Sequence, residues 1–215
     1  GLGGSCTNDG GAGAAAALGA KFTKAGGEAF IPTGGTLSQI AEVDCRPVQE
    51  ALRGMNVQVM CDIDNPLFGK TGAAAVFAPQ KGADEPMVER LDQGLRHLGQ
   101  VPAQFLGQDF SQLPGAGAAG GLGFGMRAFC GASLRMGIDL VLETVSFDQL
   151  LQDAALVFTG EGKIDSQSVR GKVVSGVASH GKRAGVPVVA VVGQIGPGFE
   201  PLYGQALTPV FLINR

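Results

Sequence analysis

Residues 156–192 place the tightest constraint on the fold: two apolar runs separated by a polar turn and a helical stretch. Leu156-Val157-Phe158 stops abruptly at Thr159-Gly160-Glu161-Gly162-Lys163-Ile164-Asp165, and Val186-Pro187-Val188-Val189-Ala190-Val191-Val192 stops at Gly193. Short runs of branched and aromatic residues ended by glycine read as buried strands. Between them Val173, Val174, Val177 and Ala178 fall at helical spacing, predicting a helix near 173–184. Strand, crossover helix and strand make a βαβ unit, hence a parallel sheet with a right-handed crossover. The loop from Thr159 to Asp165 then sits at the C-terminal end of its strand, where open α/β sheets take their ligands, with Gly193-Gln194 on the same edge. Its bland alternative is a solvated turn. Val210-Phe211-Leu212-Ile213 predicts one more strand. Upstream, Ser146-Phe147-Asp148-Gln149 has the form of a capping box, with Leu150 and Leu151 as the apolar face. His180 lies within the crossover helix and has no nucleophile to pair with, so it is assigned to the surface.

Glycine supplies 36 of the 215 residues, without a collagen-like period. Its concentration in particular loops points to backbone that comes close to a ligand. Gly1-Leu2-Gly3-Gly4-Ser5-Cys6-Thr7-Asn8-Asp9-Gly10-Gly11 runs into an alanine-rich helical stretch. The N–H groups of such a loop and the positive end of a helix suit a phosphate. Ser5 and Thr7 would add hydroxyl donors, while Asn8 and Asp9 could cap the helix or touch a metal. The loop is not a Walker A motif, because no Gly-Lys-Ser/Thr follows at the required spacing. A second concentration, 114–125, carries only methyl groups or hydrogens as side chains from Gly115 to Gly121. It should lead into a helix with Met126, Phe129, Cys130 and Leu134 inward. It either faces the first glycine loop across a cleft or packs tightly against it.

Residues 27–44 read as a hairpin followed by a packing segment built on Leu37, Ile40 and Val43. Val57-Gln58-Val59-Met60-Cys61 reads as a strand entering Asp62-Ile63-Asp64-Asn65-Pro66. Two carboxylates at a strand end can hold Mg²⁺ through one or two oxygens; Asp62 and Asn65 are the functional candidates, and Asp64 belongs to a capped turn. Pro79-Gln80-Lys81-Gly82-Ala83 sets a Lys beside a glycine turn, within reach of a phosphate or carboxylate. Asp84-Glu85-Pro86 opens the clearest helix, with a stripe of Val88, Leu91, Leu95 and Leu98 and an exposed His97.

A composition of 45% hydrophobic and 16% charged residues describes a globular chain. A net charge of −3 and a pI near 5.4 give no support to a nucleic-acid partner. No apolar run approaches the roughly 20 residues of a membrane span. Cys6, Cys45, Cys61 and Cys130 form no CxxC pair, so a reducing, cytoplasmic setting with free thiols is expected. The chain opens on Gly1 inside a motif and reads as cut from something longer, or processed.

Six blocks together resemble the type I glycerate kinase family of bacteria. They are Gly1-Leu2-Gly3-Gly4-Ser5 with Thr7-Asn8-Asp9-Gly10-Gly11; Cys61-Asp62 with Asn65-Pro66-Leu67 and Gly69; Pro79-Gln80-Lys81-Gly82-Ala83; Gly115 to Gly121; Thr159-Gly160-Glu161-Gly162 with Asp165, Gln167, Gly171 and Lys172; and Gly176-Val177-Ala178. The resemblance implies ATP-dependent phosphorylation of D-glycerate to 2-phosphoglycerate. It implies an α/β fold in which a discontinuous, parallel, doubly wound (Rossmann-like) sheet domain carries an inserted smaller α+β domain. Residues 1–140 would be the inserted domain and 141–215 the returning part of the other; members of that family are longer at both ends. Kinase chemistry asks for positioning, charge neutralisation, a metal and an activated hydroxyl. On that basis Gly3, Gly4, Ser5, Thr7 and Asn8 would bind ATP. Asp62, Asn65, Lys81 and Gln167 would bind glycerate. Asp165, Glu161 and Lys172 would be catalytic, and Asp165 and Asp62 would bind Mg²⁺. Two rivals stay open: a GHMP-type small-molecule kinase, whose phosphate loop also reads Gly-Leu-Gly-x-Ser, and a ligand-binding fragment without turnover.

Overall fold

The computed structural model describes residues 1–166, 168–169, 172–205 and 207–213, with backbone alone at 102–106, 205 and 208. The chain is α/β and divides into two compact units, Gly1–Arg135 and Met136–Arg215. The division precedes the expected 140/141 boundary, which would cut through a helix.

The first unit contains, in order, α1 (Ala12–Ala17), β1 (Lys21–Thr23), β2 (Ala29–Phe30), β3 (Glu42–Asp44), α2 (Arg46–Ala51), β4 (Gln58–Met60), α3 (Ala73–Phe77), α4 (Glu85–Leu106), α5 (Ala118–Cys130) and β5 (Ser133–Arg135). Strands β2-β1-β3 form an antiparallel sheet, with Phe22 opposite both Phe30 and Val43. Val43 is therefore a strand residue, and only Leu37 of the expected packing segment sits in the short 3-10 turn Leu37–Gln39. Strands β4 and β5 pair in parallel, Val59 opposite Leu134. Leu134 is thus not the inward helical residue expected, because α5 ends at Cys130 on Gly131, whose φ is 66°.

Phe22, Phe124 and Phe129 stack edge to face in the core, at centroid distances of 5.8 and 6.1 Å. Helix α4 buries Leu95 and Leu98 completely, with Val88 and Leu91 partly covered. Each such leucine contributes roughly 1.5–3 kcal/mol. His97 is not exposed as expected: it is half-buried, and its Nε2–H donates to the Ile40 carbonyl at 2.6 Å, tying α4 to the turn before β3.

The two glycine concentrations pack backbone on backbone. Gly10 N–H donates to the Gly120 carbonyl at 3.0 Å. Ala119, Gly120 and Gly121 are left-handed (φ 53, 70 and 90°), which kinks the start of α5. A methyl group on Gly120 would fall 2.0 Å from the Thr7 carbonyl oxygen.

The second unit holds α6 (Gly137–Thr144), α7 (Phe147–Leu150), β6 (Val157–Ile164), α8 (Val173–Ala184), β7 (Val188–Ile195) and β8 (Leu207–Leu212). Strands β6-β7-β8 form a parallel sheet in that order. Strand β6 does not stop at Gly160. Its ladder with β7 continues to Ile164 opposite Ile195, and glycine is what the pairing needs there, because a Cβ on Gly160 would meet the Val191 carbonyl oxygen at 2.4 Å. Glu161 and Lys163 therefore lie inside a strand and not in a loop.

The capping box is absent: Ser146 is itself left-handed (φ 53°), and its side chain makes no capping bond. Of the two leucines after it, Leu151 is buried and Leu150 is 64% exposed; Val173 on α8 also faces solvent. No helix among the described residues is long and apolar enough to cross a membrane. All four cysteines are free thiols.

Candidate functional site

In the first unit the glycine loop and a distant lysine meet. The 3-10 turn Pro79–Lys81, ended by Gly82 at φ 97°, delivers the Lys81 ammonium to residues more than seventy positions away. Lys81 Nζ donates to Ser5 Oγ at 2.9 Å and to the Thr7 carbonyl at 2.7 Å. Around this group lies a cleft of about 180 Å³ whose walls include Gly3, Gly4, Ser5, Phe77, Ala119 and Gly120. Partial burial pushes the Lys81 pKa down from the usual lysine value. A three-proton donor with two protein acceptors keeps one proton for a ligand.

The residues flanking Ser5 behave differently from expectation. Thr7 contributes its carbonyl to Lys81 and is not among the residues lining the cleft. Asp9 takes the positive end of α1 for itself: Oδ1 accepts from Gly11 N–H and Oδ2 from Gly13 N–H, both at 3.0 Å. An external phosphate at that helix terminus would meet this carboxylate. Asn8 is held between them with both amide atoms, Oδ1 and Nδ2, buried and unpartnered among the described residues. Each such orphan costs about 1–3 kcal/mol until something satisfies it.

Asp62 is exposed just past β4 and is already engaged in an interaction. Asn65 spends its amide on the fold: Nδ2 donates to the Thr71 carbonyl at 2.8 Å, and its own carbonyl accepts from Gly117 N–H at 2.9 Å. Cys61 donates its thiol toward the Ile63 and Gly115 carbonyls, and burial raises its pKa.

In the second unit Glu161 sits opposite Val192 in the parallel ladder. It is half-buried, and its Oε1 is fully buried with no partner among the described residues. Two residues on, Lys163 Nζ lies 3.2 Å from Asp165 Oδ2, and the Asp165 side chain is 21% exposed. The Asp165 N–H donates to Ser168 Oγ at 3.1 Å, and Ser168 N–H donates to the Asp165 carbonyl at 2.9 Å, which closes the turn after β6. Lys172 precedes α8, exposed, with its carbonyl accepting from Ser175 Oγ at 3.0 Å. Gln167 and Gly171 lie outside the described residues.

His180 is less exposed than a plain surface residue. Its Nδ1 meets Asp148 Oδ1 at 2.5 Å, its side chain is 13% exposed, and its ring packs on Phe147. Among the described residues no three or more His, Cys, Asp or Glu side chains are grouped to hold a metal. Asp62 belongs to the first unit and Asp165 to the second. Lys163 received no role from the sequence; a strand read through 161–164 would have placed it on the same face as Glu161.

Across all of 1–215 the chain matches the profile of the glycerate kinase family. It belongs to that family. A glycerate kinase from Halalkalibacterium halodurans is 45% identical over 211 residues, a match covering 98% of this chain and 56% of the relative. The glycerate 2-kinase of Escherichia coli K12 is 41% identical over 213 residues, covering 99% of this chain and 56% of the relative. A crystal structure assigned as glycerate kinase 2 from Salmonella typhimurium LT2 superposes with a TM-score of 0.83 at 44% identity, covering 100% of this chain and 55% of that one. This member of the glycerate kinase family thus spans about half the length of the relatives it matches.

Proposed function

We propose that this chain is part of an ATP-dependent kinase that phosphorylates D-glycerate to 2-phosphoglycerate. The observation that carries the reading is the Lys81–Ser5 pair in its cleft, an anion cradle inside a glycerate kinase family chain. The free proton of Lys81, the Ser5 hydroxyl and the Gly3 and Gly4 amides hold an anionic group, either a phosphate of ATP or the glycerate carboxylate.

The acceptor hydroxyl attacks the γ-phosphorus, the bond to the bridging oxygen breaks, and ADP leaves. Glu161 is the general base of this reading, because its buried, unpartnered Oε1 is the acceptor a substrate hydroxyl would satisfy. Asp165, oriented by Lys163 and Ser168, positions that hydroxyl, and Lys172 offsets transferred charge. Mg²⁺ fits Asp165 or Asp62 as single carboxylate ligands with phosphate and water completing the shell, and when bound it would neutralise phosphate charge. Residues Gly1–Arg135 are assigned to an inserted domain and Met136–Arg215 to the returning part of a discontinuous parallel domain. The four free thiols suit a cytoplasmic setting.

The test is a coupled ADP-release assay with Mg-ATP and glycerate, run beside calorimetry of nucleotide binding. Asp165→Asn is expected to lower kcat by about two orders of magnitude with KM little changed, as for loss of a group acting in the transition state. Near-normal turnover in that variant would sink the assignment. Turnover of a sugar in place of glycerate would favour a different kinase class, and binding without turnover a ligand-binding fragment.

A further inference from the structure

A second cavity, of about 310 Å³, lies in the first unit and shares no lining residue with the Lys81 cleft. Its lining is mixed: the half-buried Leu52 beyond α2 and the edge of buried Phe110 alternate with Arg127 and the backbone of 128–131, with Gln49 exposed at the rim. One cation reaches it. The Arg127 guanidinium lies over Phe110, with Cζ 4.7 Å from the ring centroid. Its Nη1 makes two long bonds, 3.5 Å to the Gly131 carbonyl and 3.4 Å to the Ala132 carbonyl. Those contacts engage Nη1 alone and leave the Nε and Nη2 protons without an acceptor among the described residues. No carboxylate pairs with Arg127 there either, unlike Arg46, Arg53 and Arg96, each of which is bridged to its own acid.

We infer that this cavity binds a small organic carboxylate with a compact apolar body. A guanidinium held over an aromatic ring still presents two parallel N–H groups along its Nε–Nη2 edge, which match a carboxylate in bidentate fashion. The half-buried Leu52 side chain takes the body of the ligand. Inorganic phosphate would meet the same charge but would leave Leu52 facing a fully hydrated ion. The inference does not rest on kinase activity, and it holds or fails independently of the Lys81 cleft.

Benzoate and its neutral isostere benzamide are suitable probes, titrated into the intact chain and followed by amide and Arg Nε–H NMR shifts. Benzoate is expected to move signals of Leu52, Arg127, Cys130 and Gly131, and to bind about tenfold more tightly than benzamide, the scale of one charged hydrogen-bonded contact. Arg127→Gln should erase that preference. Arg127→Lys keeps the charge and the stem but loses the fork, and should weaken benzoate by about tenfold. Gln49→Phe changes only the exposed rim and should reduce binding of both probes. Equal binding of the two probes, shifts confined to other parts of the chain, or benzoate affinity unchanged in Arg127→Lys would overturn the inference.

Discussion

Replacing Gly120 by alanine tests the claim that the glycine loop is positioned by direct backbone contact with α5. The new methyl would lie 2.0 Å from the Thr7 carbonyl oxygen and 2.8 Å from the Asn8 Cα, where ordinary contact begins near 3.4 Å. Backbone cannot rotate away as a side chain can, so the loop must retreat by roughly an ångström or more. Three costs follow. An L-residue at φ 70° is strained by roughly 1–2 kcal/mol. The Gly10 N–H to Gly120 carbonyl bond, 3.0 Å long, is worth about 1 kcal/mol. The Lys81 bond to the Thr7 carbonyl is stretched at a further cost of about 1 kcal/mol, since it is partly solvated. The expected loss is therefore about 3–4 kcal/mol. Gly26→Ala is the matched control, with φ 98° and nothing within 4 Å of the new methyl, so only strain of roughly 1–2 kcal/mol applies. Urea denaturation of both variants, with hydrogen exchange at the Gly10 amide as the local reporter, measures the difference. If Gly120→Ala falls within about 0.5 kcal/mol of the control, the contact does not set the loop and the reasoning fails.

The remaining predictions concern charge and surface. Because burial lowers the Lys81 pKa, the cost of burying its charge is full below the folded pKa and disappears as pH rises through that value toward 10.5. Stability from this group therefore increases with pH in that window, while affinity for inorganic phosphate declines before an ordinary lysine would titrate; Lys81→Met should abolish both trends in calorimetric and urea titrations. The Arg46 side chain and backbone N–H, bonded to Asp44, hold its pKa at about 2. That contribution is present above 3.8 and is lost as pH falls through about 2, and Arg46→Ala should return the NMR midpoint of Asp44 toward 3.8. Phe158 and Phe211 are 68% and 57% exposed on one face of the parallel sheet. Phe158→Ser should change stability by no more than about 0.5 kcal/mol while reducing the binding of an apolar fluorescent dye, and a clear drop in the melting temperature would contradict that placement.

The strand-helix-strand pattern of 156–192 was legible because branched residues in short runs and a 3.6-residue spacing report local geometry directly. Its inner boundary was not. Gly160 looks like a stop in a single chain, yet in the sheet it admits the neighbouring strand, a requirement visible only once Val191 lies opposite. The capping box at Ser146 failed for a related reason: the pattern names a side chain that can cap, but a left-handed backbone at that position removes the geometry. Within the candidate site, Gly3, Gly4 and Ser5 could be read from composition. Lys81 could be read only as a lysine beside a turn, because its partners are far away in sequence. The isolation of Asn8 and of Glu161 Oε1 depends on what covers them, which no local pattern encodes.

The contact between Gly11 and Gly125 has a consequence for how this protein can change over time. A Cβ on Gly11 would lie 3.0 Å from the Gly125 Cα, and one on Gly125 would lie 2.8 Å from the Gly11 Cα. In most packed pairs a larger residue on one side can be accommodated by a smaller one opposite. Here both sides are already the smallest residue, so no compensating partner exists. Drift at either position leads only to separation of the two segments, and the pair is frozen jointly even though neither glycine carries a reactive group.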